Sequence, residues 1–474
     1  MNLRIGTGVV IVALLSPVTV WAAEPAKSTA EQQTGMEVTI YNSNLGLIKD
    51  VREIGLPEGE GELQFADVAS AIIPETVHVR SLNHPDDLRL LEQNYEYDLI
   101  SPQKLLEKYV GKTIKLLTWN QYQDRKEVVE ATLLSMNEGP VYRINGEIHL
   151  SSEGRPILPE LPENLFARPT LSWQYRNQSR SRHRIEASYL TNSITWKADY
   201  VLTLNAEDTA ADLAGWVTLD NKSGATYKNA KLKLVAGNVH RALERETLGA
   251  GLGGMKRAIS AAPQQFQEQG FFEYHLYDLQ RPTTVKENQT KQISLLEASG
   301  AGVKKELLVY GVDTYYTNQY REDNPTQPVA VYVSVKNSKE NRLGMPLPEG
   351  IVRTYKQDAA GSLQFIGEDR IKHTPKDEEL RLKIGEAFDV VAQRRQTDFR
   401  QLTSRQYESE WEIVVKNHKE QDVTVGLIEP VPGSWAVLNS SQPYTKKDAF
   451  TIRFDVPVPK DGEAKVTYRI RVGI

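Results

Sequence analysis

Chemistry in this chain must come from histidine, serine, carboxylates and aromatic side chains, because its 474 residues contain no cysteine. That removes thiol nucleophiles, disulfides and cysteine–metal sites at once. Gly249-Ala250-Gly251-Leu252-Gly253-Gly254 reproduces the letters of a dinucleotide fingerprint. The mechanism needs a strand before the glycines and a helix after them, so that the pyrophosphate meets a helix N-terminus. Glu244-Arg245-Glu246-Thr247 precedes them in β-rich surroundings, so a flexible loop is the better reading. His78 and His84 are the closest histidine pair, and His84 stands beside Pro85-Asp86-Asp87, but zinc-like spacing is missing and a solvated turn is the simpler account. No Gly-x-Ser-x-Gly elbow occurs. Glu368-Asp369 offers a carboxylate pair, but neighbours on a strand point to opposite faces, so a turn role is favoured. Neither a cofactor nor a metal is expected. Tyr315, Tyr316 and Tyr320 lie in a polar, turn-rich segment and are the candidates for stacking on a sugar or gripping a partner, with edge-strand packing as the competing reading. Trp196, Trp216, Trp411 and Trp435 fall in or beside expected strands and read as core or sheet-face residues.

The elements that must carry these side chains are strands. Glu186 to Arg241 alternates, turns sharply at Asn221-Lys222-Ser223-Gly224 and alternates again. The same style recurs at Val333, Val335 and Asn337, and at Ile413, Val415 and Asn417: apolar residues stand four and two places before an Asn that opens a polar turn. Asn and Gly suit such turns because they tolerate left-handed backbone. Strand, Asn turn, strand and then proline is a rhythm of immunoglobulin-like sandwiches. Upstream, Val38 to Leu82 reads as a β-meander. One short helix is expected at Gln103–Val110, with Ser101 as N-cap, Pro102 in the first turn and Gly111 as C-cap. Asn145-Gly146 is a two-residue hairpin signal. Arg180 to Arg184 reads as alternate solvated positions on a strand in preference to an anion site. Residues 247–270, rich in Gly, Ala and Gln, read as a flexible insertion.

The first residues address the compartment. Arg4, the apolar run Val9–Leu15 and Val20-Trp21-Ala22 make residues 1–22 a secretory signal peptide. Residues 23–35 are polar and small and read as a disordered arm. Lys and Arg total 57 against 62 Asp and Glu, with the signs interspersed, which argues against nucleic acid as a partner. No later segment is long and apolar enough to span a membrane, and no sustained barrel pattern appears.

Three stretches carry a family resemblance: Tyr189 to Tyr200, Gly215 to Gly237, and the run from Arg353-Thr354-Tyr355 through Gly361 and Gly367-Glu368-Asp369 to Gly385-Glu386-Ala387-Phe388-Asp389-Val390. They resemble the bacterial domain of unknown function 4139, a family that includes proteins named as mucoidy inhibitor homologues. Tyr41 to Phe65 is similar to the region that often precedes that domain. The shared features are strand and turn residues, so the resemblance brings neither a reaction nor a ligand.

The expected fold is all-β: an amino-terminal β domain with one short helix over 36–180, then two immunoglobulin-like sandwich units over 181–330 and 331–474. The expected protein is exported, to the periplasm first, with the cell exterior or the outer membrane as alternatives. It is expected to be no enzyme and to bind or scaffold an envelope protein or polysaccharide. Two other readings compete: glycan binding through surface aromatics, chiefly Tyr315 to Tyr320, and hydrolysis by an unrecognised carboxylate site.

Overall fold

The computed structural model describes residues 24–96, 99–120, 125–150, 154–162, 165–237, 239–240, 265–320 and 325–474. The signal-peptide assignment, the 249–254 glycines and residues 247–264 of the expected insertion lie outside them. Strands dominate, and among the described residues there is one α-helix, Pro102–Lys108. The fold is all-β and of sandwich type. The chain forms two compact units, one from residues 24–35 and 49–189, the other from Met36–Ile48 and Leu190–Ile474.

Two sheets lie wholly within the first unit. In one, Gly59–Ala66 lies between Ala26–Ser28, which runs parallel to it, and the antiparallel Thr170–Asn177, which also pairs with Leu88–Glu96. Residues 23–35 were expected as a disordered arm, and the structure corrects this from Ala26 onward. Ala26–Ser28 pairs with Leu63–Phe65, and Thr29 and Gln32 form a capping box. The Ser28 carbonyl accepts a 3.0 Å hydrogen bond from Arg52, a buried side chain that also grips Asp50 and lies over the Phe65 ring. A buried guanidinium needs such acceptors, and part of the polar arm supplies them. The second sheet is five antiparallel strands, with Glu147–His149 and Arg155–Ile157 at its edges. Asn145 and Gly146 take φ of 51° and 89°, the two left-handed positions that a tight hairpin needs. The helix begins where expected, with Ser101 Oγ accepting from the Lys104 amide at 3.1 Å, and ends at Lys108.

In the second unit two long strands change partners along their length. Gln289–Tyr310 pairs first with Ala210–Asn221, then with Thr326–Lys336 and Val423–Pro430. Glu379–Thr403 pairs first with Thr326–Lys336 and then with Gln406–Asn417. The expected boundary at 330/331 falls inside Thr326–Lys336, which pairs with both long strands. Phe266–Phe271, at the end of the expected flexible insertion, is also a strand. In the C-terminal sandwich, Trp411, Ile413 and Val415 with Val466, Tyr468, Ile470 and Val472 form one wall of a core. Val425 and Leu427 with Ile452, Phe454 and Val456 form the other. Trp196 and Trp411 are core residues, whereas Trp216 lies on the outer sheet face, 38% exposed, since Leu219 and Val217 hold the inward positions of its strand.

The three Asn residues do more than turn the chain. None adopts positive φ; each is fully buried at a strand end and works through its carboxamide. Asn417 Nδ2 donates to the carbonyls of Gln421 (2.9 Å) and Pro459 (3.0 Å). Asn337 Nδ2 donates to those of Met345 (2.8 Å) and Pro375 (2.9 Å), and Asn221 Nδ2 to those of Ala225 (2.9 Å) and Lys286 (3.1 Å). Each amide ties its own turn to the end of another strand and satisfies carbonyls that strand ends leave without ladder partners. A fourth member, Asn177 in the first unit, binds the carbonyls of Leu56 and Pro57, both at 3.1 Å.

Candidate functional site

The three candidate tyrosines lie on and after a short 3-10 turn, Asp313–Tyr316. The structure separates their roles. Tyr316 is completely buried, so the expectation that all three are surface aromatics is corrected: the turn drives this ring into the core while its neighbours stay half-buried. Tyr315 and Tyr320 meet edge to face, with centroids 5.2 Å apart, and both pack on Trp411, at 5.0 and 6.0 Å. Gln327 Nε2 donates to the Tyr315 hydroxyl at 2.9 Å, and Gln396 Oε1 accepts the Tyr320 amide at 2.8 Å.

Beneath these rings lies a buried polar cluster. Arg394, from Glu379–Thr403, and Glu429, from Val423–Pro430, form a bidentate ion pair. Tyr316 donates its hydroxyl to Glu429 Oε2 at 2.7 Å, and Tyr468 reaches the same oxygen at 3.1 Å. Arg394 Nε donates to Gln327 Oε1 at 3.1 Å, and its guanidinium lies 4.9 Å from the Tyr315 ring centre. Burial, then the Glu429 charge, then Tyr468 push the Tyr316 phenol well above its ordinary value. Burial and Glu429 likewise raise that of Tyr468. Burial alone would lower the Arg394 pKa, but Glu429 outweighs it and holds the guanidinium protonated. Arg394 and Glu429 are thus matched by each other, and Tyr316 and Tyr468 complete the hydrogen bonding around the carboxylate.

The sequence reading missed this cluster, although a signal was present. Val390, Ala392 and Arg394 share one parity, as do Val425, Leu427 and Glu429, so each charge occupies an inward position of an alternating strand.

The other chemistry-bearing residues divide clearly. Glu368 faces Arg353 at 3.3 Å, while Asp369 accepts the amides of Arg370 and Lys383 at 2.8 and 2.7 Å. They lie on the strand Leu363–Ile371, not in the expected turn, because that strand pairs with Gly350–Gln357 across an irregularity beside Gly367. Arg180 and Arg182 are exposed and face Glu58 and Glu53, as alternate solvated positions should. Among the described residues no three His, Asp or Glu side chains are grouped to hold a metal.

One arrangement has the connectivity of a nucleophile, base and orienting group. Ser81 Oγ lies 3.0 Å from His183 Nδ1, and His183 Nε2 lies 3.1 Å from Asn177 Oδ1. Asn177 Nδ2 is committed to backbone carbonyls, so its Oδ1 faces the ring and must accept from Nε2–H. His183 Nδ1 then accepts from the serine hydroxyl. Burial, followed by the nearby His84, lowers the His183 pKa against the opposing pull of Asp87, which favours the neutral ring. Ser81 is only 4% exposed, however, and its Oγ also accepts the His84 amide at 3.2 Å. A substrate carbonyl reaches it only if the turn after Ser81 opens. Parity with Ile185 and Ala187 put His183 inward, and Trp173 and Tyr175 stand four and two places before Asn177, so the cluster was readable from the rule already applied to the other three Asn residues.

These features define an all-β sandwich-type protein whose interior polar groups are clasps between strands. The chain belongs to the family described as "Domain of unknown function (DUF4139)", whose model matches residues 185–473. The match contains the Arg394–Glu429 cluster and the three tyrosines, whereas Ser81, Asn177 and His183 stand before it. No curated protein matches the chain.

Proposed function

We propose that the protein is an exported, non-catalytic component of the cell envelope, periplasmic in the first instance, that binds or scaffolds another envelope component. The amino-terminal pattern of Arg4, Val9–Leu15 and Val20-Trp21-Ala22 supports export. One observation carries the binding role: the C-terminal sandwich holds the half-exposed Tyr315 and Tyr320 on a packed base of Trp411, with Arg394 beneath Tyr315. Aromatic rings immobilised before contact lose little entropy on binding, which is why such rings anchor interfaces. The partner is an envelope protein or a polysaccharide.

The test places a photo-crosslinking amino acid at position 320 in cells that produce the full chain. Position 316 is unsuitable because it is buried. The expected result is a discrete adduct with one envelope protein, lost on Tyr315→Ala, or retention on purified envelope polysaccharide that Tyr320→Ala abolishes. Absence of both the adduct and the retention contradicts the proposal.

A hydrolytic reading is favoured by one observation, the Ser81–His183–Asn177 chain, and opposed by the occlusion of the Ser81 hydroxyl. The carboxylate version of that reading loses support because Glu429, Glu368 and Asp369 are each taken up by internal partners.

A further inference from the structure

The outer face of the five-stranded sheet in the first unit has a chemistry unlike the rest of the chain. Strand register fixes which residues share it. Across the sheet, Lys126 stands opposite Trp119. Val128, Leu117 and Arg155 form the next row, then Glu130, Lys115 and Ile157. The last row is Thr113, Thr132, Arg143 and Ile148. The opposite face carries Ile114, Leu116, Ala131, Leu133 and Tyr142, which form a buried core, so this face points to water. Trp119, Val128, Ile157 and Ile148 are 56%, 55%, 42% and 62% exposed.

Each row therefore places one cation beside at least one apolar side chain. Lys126, Arg155, Lys115 and Arg143 face a single acid, Glu130, among the described residues of the face, whereas the whole chain has a formal net charge of −5. Neighbouring strands are about 4.8 Å apart and same-face residues about 6.8 Å apart along a strand, so the charges and apolar groups interleave closely across the face.

We propose that this face docks on the surface of an anionic phospholipid bilayer. Charge complementarity draws the four cations to the headgroups, while Trp119 and the aliphatic side chains enter the headgroup–acyl boundary, where amphipathic indoles and snorkelling Lys and Arg are favoured. An acidic polysaccharide offers the same charge but has no use for Val128, Ile157 and Ile148, and among the described residues the face carries no carboxamide to order sugar hydroxyls. Single-stranded nucleic acid needs a series of stacking rings, and the described residues of this face include one, Trp119. The surface is independent of Tyr315 and Tyr320, so the two proposals stand or fall separately.

The test is flotation of the full chain with phosphatidylcholine vesicles, with and without phosphatidylglycerol. The amino-terminal apolar run is common to every variant, so differences between variants report the face. Binding is expected to require phosphatidylglycerol. The double variant Lys126→Glu/Arg155→Glu should lower it at least about tenfold, consistent with each basic residue near an anionic surface contributing about fivefold. Trp119→Ser should lower the binding that survives at high salt. The control Lys228→Glu/Lys447→Glu, equal in charge change but distant in sequence, should bind as the parent does. All substituted positions are exposed, so unchanged circular dichroism and melting confirm folding. Equal loss in the control and the face variant overturns the proposal. So does failure to bind phosphatidylglycerol vesicles, including the outcome in which the face instead retains the chain on an acidic polysaccharide.

Discussion

Arg394 and Glu429 meet as a bidentate ion pair sealed from water: Nη1 lies 2.9 Å from Oε2 and Nη2 2.5 Å from Oε1, with side chains 2% and 0% exposed. The pair joins two walls of the C-terminal sandwich, and Tyr316 and Tyr468 complete the hydrogen bonding around the carboxylate. Removing one partner of such a pair strands a buried charge and costs about 3–5 kcal/mol. Glu429→Leu should lose that much in urea unfolding. Adding Arg394→Met should recover most of it, because a buried pair is often replaceable by apolar side chains of similar volume. A double variant no more stable than Glu429→Leu would show that the pair is not the unit of stability.

The Asn clasps predict a graded response at one position. Asn417→Ala leaves the carbonyls of Gln421 and Pro459 without their donor, and each unsatisfied buried group costs roughly 1–3 kcal/mol. Asn417→Asp should cost more, since it turns a carboxylate toward those same carbonyls. Equal unfolding midpoints for the Ala and Asp variants would contradict the clasp.

Stability should fall in mildly acidic solution through His183. Its folded pKa is depressed, by burial first and by His84 second, so the unfolded chain takes up the proton more readily. The stabilisation is fully present above the unfolded value of about 6.5 and is lost as pH falls below it toward the folded value. Midpoints measured between pH 7.5 and 5.5 should decline with a smaller slope in His183→Gln than in the parent. Identical slopes would remove His183 as a contributor.

The two classes of tyrosine should separate on loss of a hydroxyl alone. Tyr316→Phe removes one of three donors to buried Glu429 Oε2, a hydrogen bond to a charged group, and should cost about 1.5–3 kcal/mol. Tyr320→Phe gives up a surface bond to Thr314 and should stay within about 0.5 kcal/mol of the parent. Comparable losses at both positions would contradict the division between core and surface.

How much of this was legible follows from parity. The all-β character, the Asn145-Gly146 hairpin and the Ser101 cap are written in local turn and alternation patterns, and they form where those patterns stand. The three Asn turns were visible too, but their purpose was not: left-handed backbone explains a turn, whereas the clasps depend on carbonyls as far away as Pro459 from Asn417. The same distance hid the Arg394–Glu429 pair, whose members are 35 residues apart and look like isolated charges until the strands are paired. Residues 23–35 read as disordered because their composition is polar, whereas Ala26–Ser28 is held by its pairing with Leu63–Phe65 and by the buried Arg52, both distant in sequence. The break expected at 330/331 falls inside Thr326–Lys336, and strands such as Gln289–Tyr310 pair with three others along their length, a property no local pattern records.

The central claim, that the interior polar groups are structural and the protein does no catalysis, is tested most directly by turnover. Purified full chain would be assayed near neutral pH against chromogenic esters, glycosides, phosphoesters and peptides, beside Ser81→Ala and Glu429→Gln. The account predicts rates equal to buffer for all three proteins. Turnover by the parent that Ser81→Ala abolishes without changing its melting temperature would contradict it and make Ser81, His183 and Asn177 an active site.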